Sequence, residues 1–157
     1  MLLREWRSSE LEGMHRWLGD SSVNRYLSWG STSLAASAAQ LRETVAAQTA
    51  EPRAKYYLAV EALRNPGTTI GNAGFSWVGA GIAEIGYFLE PDYWGRGYAT
   101  DAARLVIGLA FELQAGRVIA TCDAENTASA AVMRRCGMCP AASPEPGRLL
   151  YEIRRLQ

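Results

Sequence analysis

The chain predicts a mixed α/β (α+β) fold: a mostly antiparallel sheet, a βαβ crossover near its centre, and flanking helices. Three observations carry this. Lys55 to Glu61, Ile70 to Trp77 and Ile82 to Leu89 are rich in β-branched, aromatic and aliphatic residues. The turn sequences Asn65-Pro66-Gly67-Thr68 and Val78-Gly79-Ala80-Gly81 separate them, as in an antiparallel meander. From Tyr98 the period changes, with Ala99, Ala102, Ala103, Val106, Ala110 and Leu113 at helical spacing. Arg117 to Cys122 reads as a strand again, so the intervening helix is a crossover that returns the chain parallel to Ile82 to Leu89.

The remaining elements fit around that centre. Leu2 to Trp6 is expected to be an edge strand. Ser9 stands three before Glu12 in the pattern of a capping box, and Leu11, Met14 and Leu18 give the following helix one apolar stripe that ends at Gly19-Asp20-Ser21-Ser22. A second helix is expected from Leu34 to about Gln48, with Leu34, Ala38, Leu41 and Val45 on one face. Between the two helices, Val23 to Gly30 has little regular pattern but carries two large aromatics, Tyr26 and Trp29. Gly116 is placed as the residue just past the crossover helix. Ala128 to Cys136 reads as a further helix stopped by Gly137, and Leu149 to Arg155 as a last strand. Gly71, Gly74 and Gly86 inside strands predict bulges or close approaches.

At 157 residues the chain is expected to form one domain spanning 1–157. Sixteen basic and sixteen acidic residues balance to a formal charge of zero, which argues against a nucleic acid or an anionic membrane as partner. No apolar run approaches the roughly 20 residues of a membrane helix, and Met1 to Arg7 lacks the apolar core of a signal peptide, so the expectation is a cytoplasmic protein. Cys122, Cys136 and Cys139 fit reduced thiols there. Cys136 and Cys139 form a Cys-x-x-Cys pair, yet with one further Cys and only His15 a zinc site lacks ligands, so no metal is expected. His15 reads as a structural histidine on the first helix.

The strand Ile82 to Leu89 ends before Pro91, which cannot donate to a sheet, and the loop Asp92 to Gly97 then opens a helix. Gly95 and Gly97 permit positive φ and close approach of a ligand. The first helical N–H groups lack partners inside the helix, and the macrodipole adds positive charge at the same place, as does Arg96. Such an end suits an anion, most naturally a phosphate; the plainer alternative is a glycine turn capping a helix, with Arg96 solvated. A P-loop is excluded because no Gly-Lys-Ser or Gly-Lys-Thr occurs. A dinucleotide fingerprint wants glycine at Thr100 and more chain than the 57 residues that follow it.

Tyr93-Trp94-Gly95-Arg96-Gly97-Tyr98-Ala99-Thr100, followed by Asn126-Thr127-Ala128-Ser129 and Arg135-Cys136-Gly137-Met138, resembles the GNAT superfamily of N-acetyltransferases, in the branch typified by the ribosomal-protein acetyltransferases RimJ and RimL. The resemblance covers the second half closely and the first loosely. It implies acetyl-CoA as co-substrate, with its pyrophosphate on the amides of Arg96, Gly97, Tyr98, Ala99 and Thr100 in a loop entered through Trp94 and Gly95. It also implies a pantetheine arm along the strand edge at Phe88 and Leu89, where that strand splays from the one ending at Cys122, with Asn126 on the arm. The acceptor is then a primary amine of a small molecule or a protein N-terminus, attacked directly without an acyl-enzyme. Tyr26 and Trp29 become candidate substrate contacts, their alternative being to pack the loop on the sheet.

Trp94 stands where the family often has Gln or Arg. Met133 stands where many members have a tyrosine that protonates the thiolate, so the resemblance moves that role to Ser129, whose alternative is to cap a helix. As general base it selects Glu84, a carboxylate that a partly apolar cleft makes a better proton acceptor. Alternation groups Glu84 with Gly86 and Phe88 against Ile85, Tyr87 and Leu89, and leaves open which set faces the cleft. Asn126 has helix capping as its alternative. Two other functions compete with acetyl transfer: a non-catalytic acyl-CoA-binding module of the same fold, which Met133 allows, and a nucleotide-binding domain built on the glycine loop. The sequence leaves the acceptor unidentified and a homodimer open.

Overall fold

The computed structural model of the chain describes residues 1–26 and 33–155. Its seven strands are β1 (Leu2–Arg4), β2 (Lys55–Glu61), β3 (Thr69–Gly79), β4 (Ile82–Leu89), β5 (Arg117–Asp123), β6 (Cys139–Ala141) and β7 (Arg148–Arg154). They form one sheet in the order β1-β2-β3-β4-β5-β7-β6, antiparallel throughout except for the β4–β5 pair. The helices are α1 (Leu11–Leu18), α2 (Ser21–Asn24), α3 (Leu34–Ala47), α4 (Tyr98–Glu112) and α5 (Thr127–Arg135).

Two apolar layers cover the two faces of the sheet. On one, Val60, Ala73, Phe75, Ala83, Ile85 and Leu89 pack against Ala103, Val106 and Ala110 of α4 and Met133 of α5. On the other, Ala59 and Phe88 meet Met14, Trp17 and Leu18 of α1 and Leu41 of α3, with Trp6 beneath them. Trp6 is buried yet satisfied, because its indole N–H donates to Asn72 Oδ1 at 2.9 Å and its carbonyl accepts from Gln48 Nε2 at 2.9 Å. His15 Nδ1 lies 2.9 Å from Ser37 Oγ, tying α1 to α3, which is a structural role.

The structure corrects several expectations of detail. Ser9 and Glu12 make no capping box: α1 begins after Glu10, and no side chain caps it. The Glu10 carboxylate is instead committed to Arg4 (2.6 and 2.9 Å), the Thr69 hydroxyl (2.9 Å) and the Arg7 amide (2.9 Å). The buried stripe of α3 is Ser37, Leu41 and Thr44, and Leu34 is 55% exposed, because the helix is turned to meet His15. Gly116 is not the residue that terminates α4. Gln114 takes the left-handed conformation there, φ 70°, while the Gly116 N–H bonds the Gly81 carbonyl. The short edge strand β6 and helix α2 lie outside the expected elements, being too brief for a periodic signal.

Gly71 and Gly74 are sites of close approach: a Cβ at either would lie 2.1 Å from a carbonyl oxygen, of Phe88 and Tyr56 respectively. Gly86, opposite Gly74 in the register, differs. A Cβ there would meet nothing nearer than Phe88 at 4.0 Å, because that part of β4 borders open space. Gly74→Ala should therefore cost about 2 kcal/mol or more through overpacking against backbone, whereas Gly86→Ala should stay within about 0.5 kcal/mol; denaturant melts of the two variants check this.

Arg4 joins two carboxylates, Glu10 and Glu61 (2.7 Å), the latter also accepting the Gly67 N–H at 2.8 Å. Burial opposes the charge on Glu10, but the Arg4 hydrogen bonds, the Arg7 amide and the Thr69 hydroxyl outweigh it and hold its carboxyl at about 2. A carboxylate depressed in the folded state contributes stability that is complete above its ordinary value of 4.5 and is lost as the pH falls toward 2. Glu10→Gln should flatten the fall of the melting temperature across that acid window. Arg4→Met, which removes the cation the two carboxylates share, should lower the melting temperature at neutral pH, read in a thermal melt.

Candidate active site

β4 and β5 are hydrogen-bonded over three residue pairs only, from Ile82 with Arg117 to Glu84 with Ile119. Beyond them β4 stays with β3 and β5 with β7, so the strands part and Ile85 to Leu89 form an open edge. The Glu90 N–H bonds Ile70 O on the β3 side. Strand alternation therefore turns the main chains of Tyr87 and Leu89 into the gap and that of Phe88 into the β3 ladder, opposite Asn72. Of the expected pair Phe88 and Leu89, only Leu89 presents its backbone to the gap; Phe88 contributes its ring, stacked on Trp17 at 5.7 Å.

A cavity of about 1040 Å³ occupies the parting and opens on both faces of the sheet. On the α4/α5 face its wall includes Gly95, Gly97, Tyr98, Ala99, Thr100, Asn126 and Ser129; on the α1/α3 face it includes Trp17, Tyr26, Tyr57, Ser76 and Glu84. This resolves the ambiguity of alternation: residues of both β4 faces line the same cavity, from opposite sides.

The loop before α4 has the character an anion needs. Gly95 (φ 71°) and Gly97 (φ 85°) are both left-handed, and a Cβ at either would meet nothing within 4 Å, so the requirement is conformational and not steric. Gly97 is the N-cap of α4 without a side-chain cap. The first intrahelical bond is Asp101 N–H to Gly97 O, and among the described residues no protein acceptor meets the N–H groups of Arg96, Gly97, Tyr98, Ala99 or Thr100. Five amides and the end of a 15-residue helix meet there. Arg96 lies over the Tyr93 ring at 5.9 Å and Tyr93 meets Tyr98 edge-on at 6.0 Å, which supports the loop. Trp94 is 49% exposed, and its indole N–H donates to Leu89 O at 2.8 Å, tethering the loop to the end of β4. These residues fit a diphosphate followed by a chain of amides entering the gap.

Further in, Asn126 Oδ1 accepts the Ser129 N–H at 3.1 Å, so Asn126 caps α5 and Ser129 lies within the first helical turn rather than capping it. Tyr87 Oη is 3.0 Å from Ser129 Oγ and 3.1 Å from Ser129 O. Burial holds the Tyr87 phenol well above its ordinary range, with the Ser129 hydrogen bond opposing in part. Cys122 also borders the cavity, and burial pushes its thiol up. Met133 is 2% exposed, packed in the core of α5.

On the other face, Glu84 Oε1 accepts from the Thr121 hydroxyl at 3.0 Å, and Thr121 Oγ1 accepts from Arg148 at 2.9 Å. That chain fixes the carboxylate on the cavity wall. Tyr26 lines the same side, with the Arg25 guanidinium 5.3 Å from its ring centre; Trp29 lies outside the described residues. Nothing in the local pattern singles out Tyr87, Thr121 or Arg148. Tyr87 and Ser129 are 42 positions apart, and only the parting of β4 from β5 makes them face each other. Among the described residues no cluster of side chains could hold a metal ion.

Residues 1–139 match the family model described as the acetyltransferase (GNAT) domain. An uncharacterized N-acetyltransferase of Bacillus subtilis, YnaD, is 29% identical over 140 residues, covering 88% of this chain and 78% of that protein. The crystal structure of a GNAT-family acetyltransferase from Bacillus anthracis superposes with a TM-score of 0.84 at 25% identity, over 98% of this chain and 93% of the other. RimL, an N-acetyltransferase of ribosomal protein L7/L12 solved with coenzyme A, superposes with a TM-score of 0.81 at 18% identity, over 97% and 92%. With its motif loop at the N-terminus of α4 and its parted β4 and β5, the chain belongs to the GNAT family of acetyltransferases.

Proposed function

We propose that this acetyltransferase is a RimJ/RimL-like N-acetyltransferase, moving the acetyl group of acetyl-CoA to a primary amine of a small molecule or a protein N-terminus. The observation that carries the proposal is the run of unpartnered amides from Arg96 to Thr100 at the mouth of a gap between two strands that have ceased to pair. Those amides and Arg96 take the diphosphate. The Leu89 main chain, at the open edge of β4, and Asn126 hold the pantetheine arm, and Trp94 with Gly95 shapes the entrance.

The amine enters from the α1/α3 face, past Tyr26, toward Glu84. Glu84 removes the ammonium proton, directly or through water, so that neutral nitrogen reaches the thioester carbonyl. The C–N bond forms and the C–S bond breaks. Ser129 gives its hydroxyl proton to the departing thiolate and regains one, through water in the open cleft, from the attacking nitrogen, which sheds its surplus proton as the amide forms. Thr121 and Arg148 keep Glu84 aimed at the cavity. Because base and acid stand on opposite faces of β4, the two substrates arrive from opposite sides and meet only in the gap.

Coenzyme A should raise the melting temperature, as expected for a ligand that binds only the folded state, while ATP and NAD should not. Gly97→Ala, which strains a left-handed position at the anion site, should weaken coenzyme A binding about tenfold or more, about 1.4 kcal/mol; calorimetric titration measures it. In an assay of thiol release over a panel of amines, Glu84→Gln and Ser129→Ala should each lower turnover about a hundredfold. Undiminished turnover in either variant removes that residue from the mechanism. Binding of coenzyme A without turnover of any amine would instead identify a binding module.

A further inference from the structure

Tyr87 projects from β4 toward the first turn of α5, and its hydroxyl spans the gap to reach two oxygens of one residue, Ser129 Oγ at 3.0 Å and Ser129 O at 3.1 Å. The phenol and the serine bring one proton each to these three oxygens, and the Cys122 thiol, which also meets the Ser129 hydroxyl, is a further partner for it. If Tyr87 donates to the Ser129 carbonyl, the serine proton can satisfy the phenol oxygen and is withheld from the cleft. If Tyr87 donates to Ser129 Oγ, the serine proton is free to turn to a third acceptor. Burial keeps the phenol protonated far above neutral pH, so it remains a donor and does not become the source of a proton itself. A serine that shares its proton with a departing thiolate gathers negative charge on its oxygen, and a donor already in contact with that oxygen offsets the charge cooperatively in a partly dry site.

We propose that Tyr87 is a positioning residue for Ser129: its phenol donates to Ser129 Oγ in the reacting complex, turns the single serine proton toward the thioester sulfur, and supports the charge that grows on the serine oxygen. The inference rests on the reading of Ser129 as proton donor and adds the group that orients it. A merely structural role, in which Tyr87 clamps α5 to β4, would affect stability and cofactor binding but would not depend on the serine hydroxyl.

The test is a double-mutant cycle on the full chain, with kcat and the KM for acetyl-CoA measured for wild type, Tyr87→Phe, Ser129→Ala and the double variant at saturating amine. Tyr87→Phe should lower kcat about tenfold and leave KM within about twofold, and in the Ser129→Ala background it should have no further effect. Wild-type kcat in Tyr87→Phe, with Ser129→Ala impaired, overturns the role of Tyr87 alone. An equal loss in both backgrounds overturns it in favour of a structural clamp. Unimpaired Ser129→Ala overturns the serine reading and the positioning role with it. Should Tyr87→Phe fail to fold, a fluorotyrosine placed at position 87 keeps the ring and hydroxyl while making the phenol a stronger donor. It should shift kcat in the wild-type background and not in Ser129→Ala; a kcat equal to that of tyrosine in the wild-type background, or the same shift in both backgrounds, overturns the proposal.

Discussion

The site depends on β4 bonding β5 for three residue pairs and then no further. A strand edge left open inside a protein exposes main-chain donors and acceptors that would ordinarily be paired, and here they face the cavity, where water or a ligand can meet them. The open segment, Ile85 to Leu89, is followed at once by Pro91 and the glycine loop, so the unpaired strand edge and the unpaired helix end lie along one path. The sheet supplies the channel, α4 supplies its anchoring end, and α5 brings Asn126 and Ser129 to its inner wall.

The two faces of the sheet divide the work. The α4/α5 face is closed by small residues such as Ala102, Ala103 and Ala110, which let α4 approach the strands and set its N-terminus at the mouth of the gap. The α1/α3 face is built from large rings, with Trp17 stacked on Phe88 and Trp6 bonded to Asn72. That side carries Glu84, held through Thr121 by Arg148 from the next strand but one. The cluster of Arg4, Glu10, Glu61 and Thr69 binds the first strand to α1 and to the start of β3, on which the rings of that side rest.

Most of this architecture could be read from the residues. The meander, the crossover and the parallel return were plain because each element is long and periodic, and β2 and β4 fall where the pattern put them. The glycine loop was legible because φ near +85° at Gly97 is a demand that the amino-acid type itself records. Features that depend on long-range meetings were not. Whether Ser9 or Glu10 begins α1 is decided by Arg4, Arg7 and Thr69 competing for one carboxylate. The phenol of Tyr87 and the hydroxyl of Thr121 read as ordinary strand residues until β4 and β5 are seen to part. The direction of the Phe88 main chain follows from the register with β3, which no local pattern specifies.

The tether from Trp94 to Leu89 has a consequence for ligand choice. By occupying the Leu89 carbonyl, the indole removes an acceptor from the cleft edge, while the amides of Arg96 to Thr100 remain as donors. The N-terminus of α4 thus presents a row of donors at the entrance. A chain of phosphates and amide carbonyls would meet that row with matching acceptors, whereas ammonium groups would bring donors to donors.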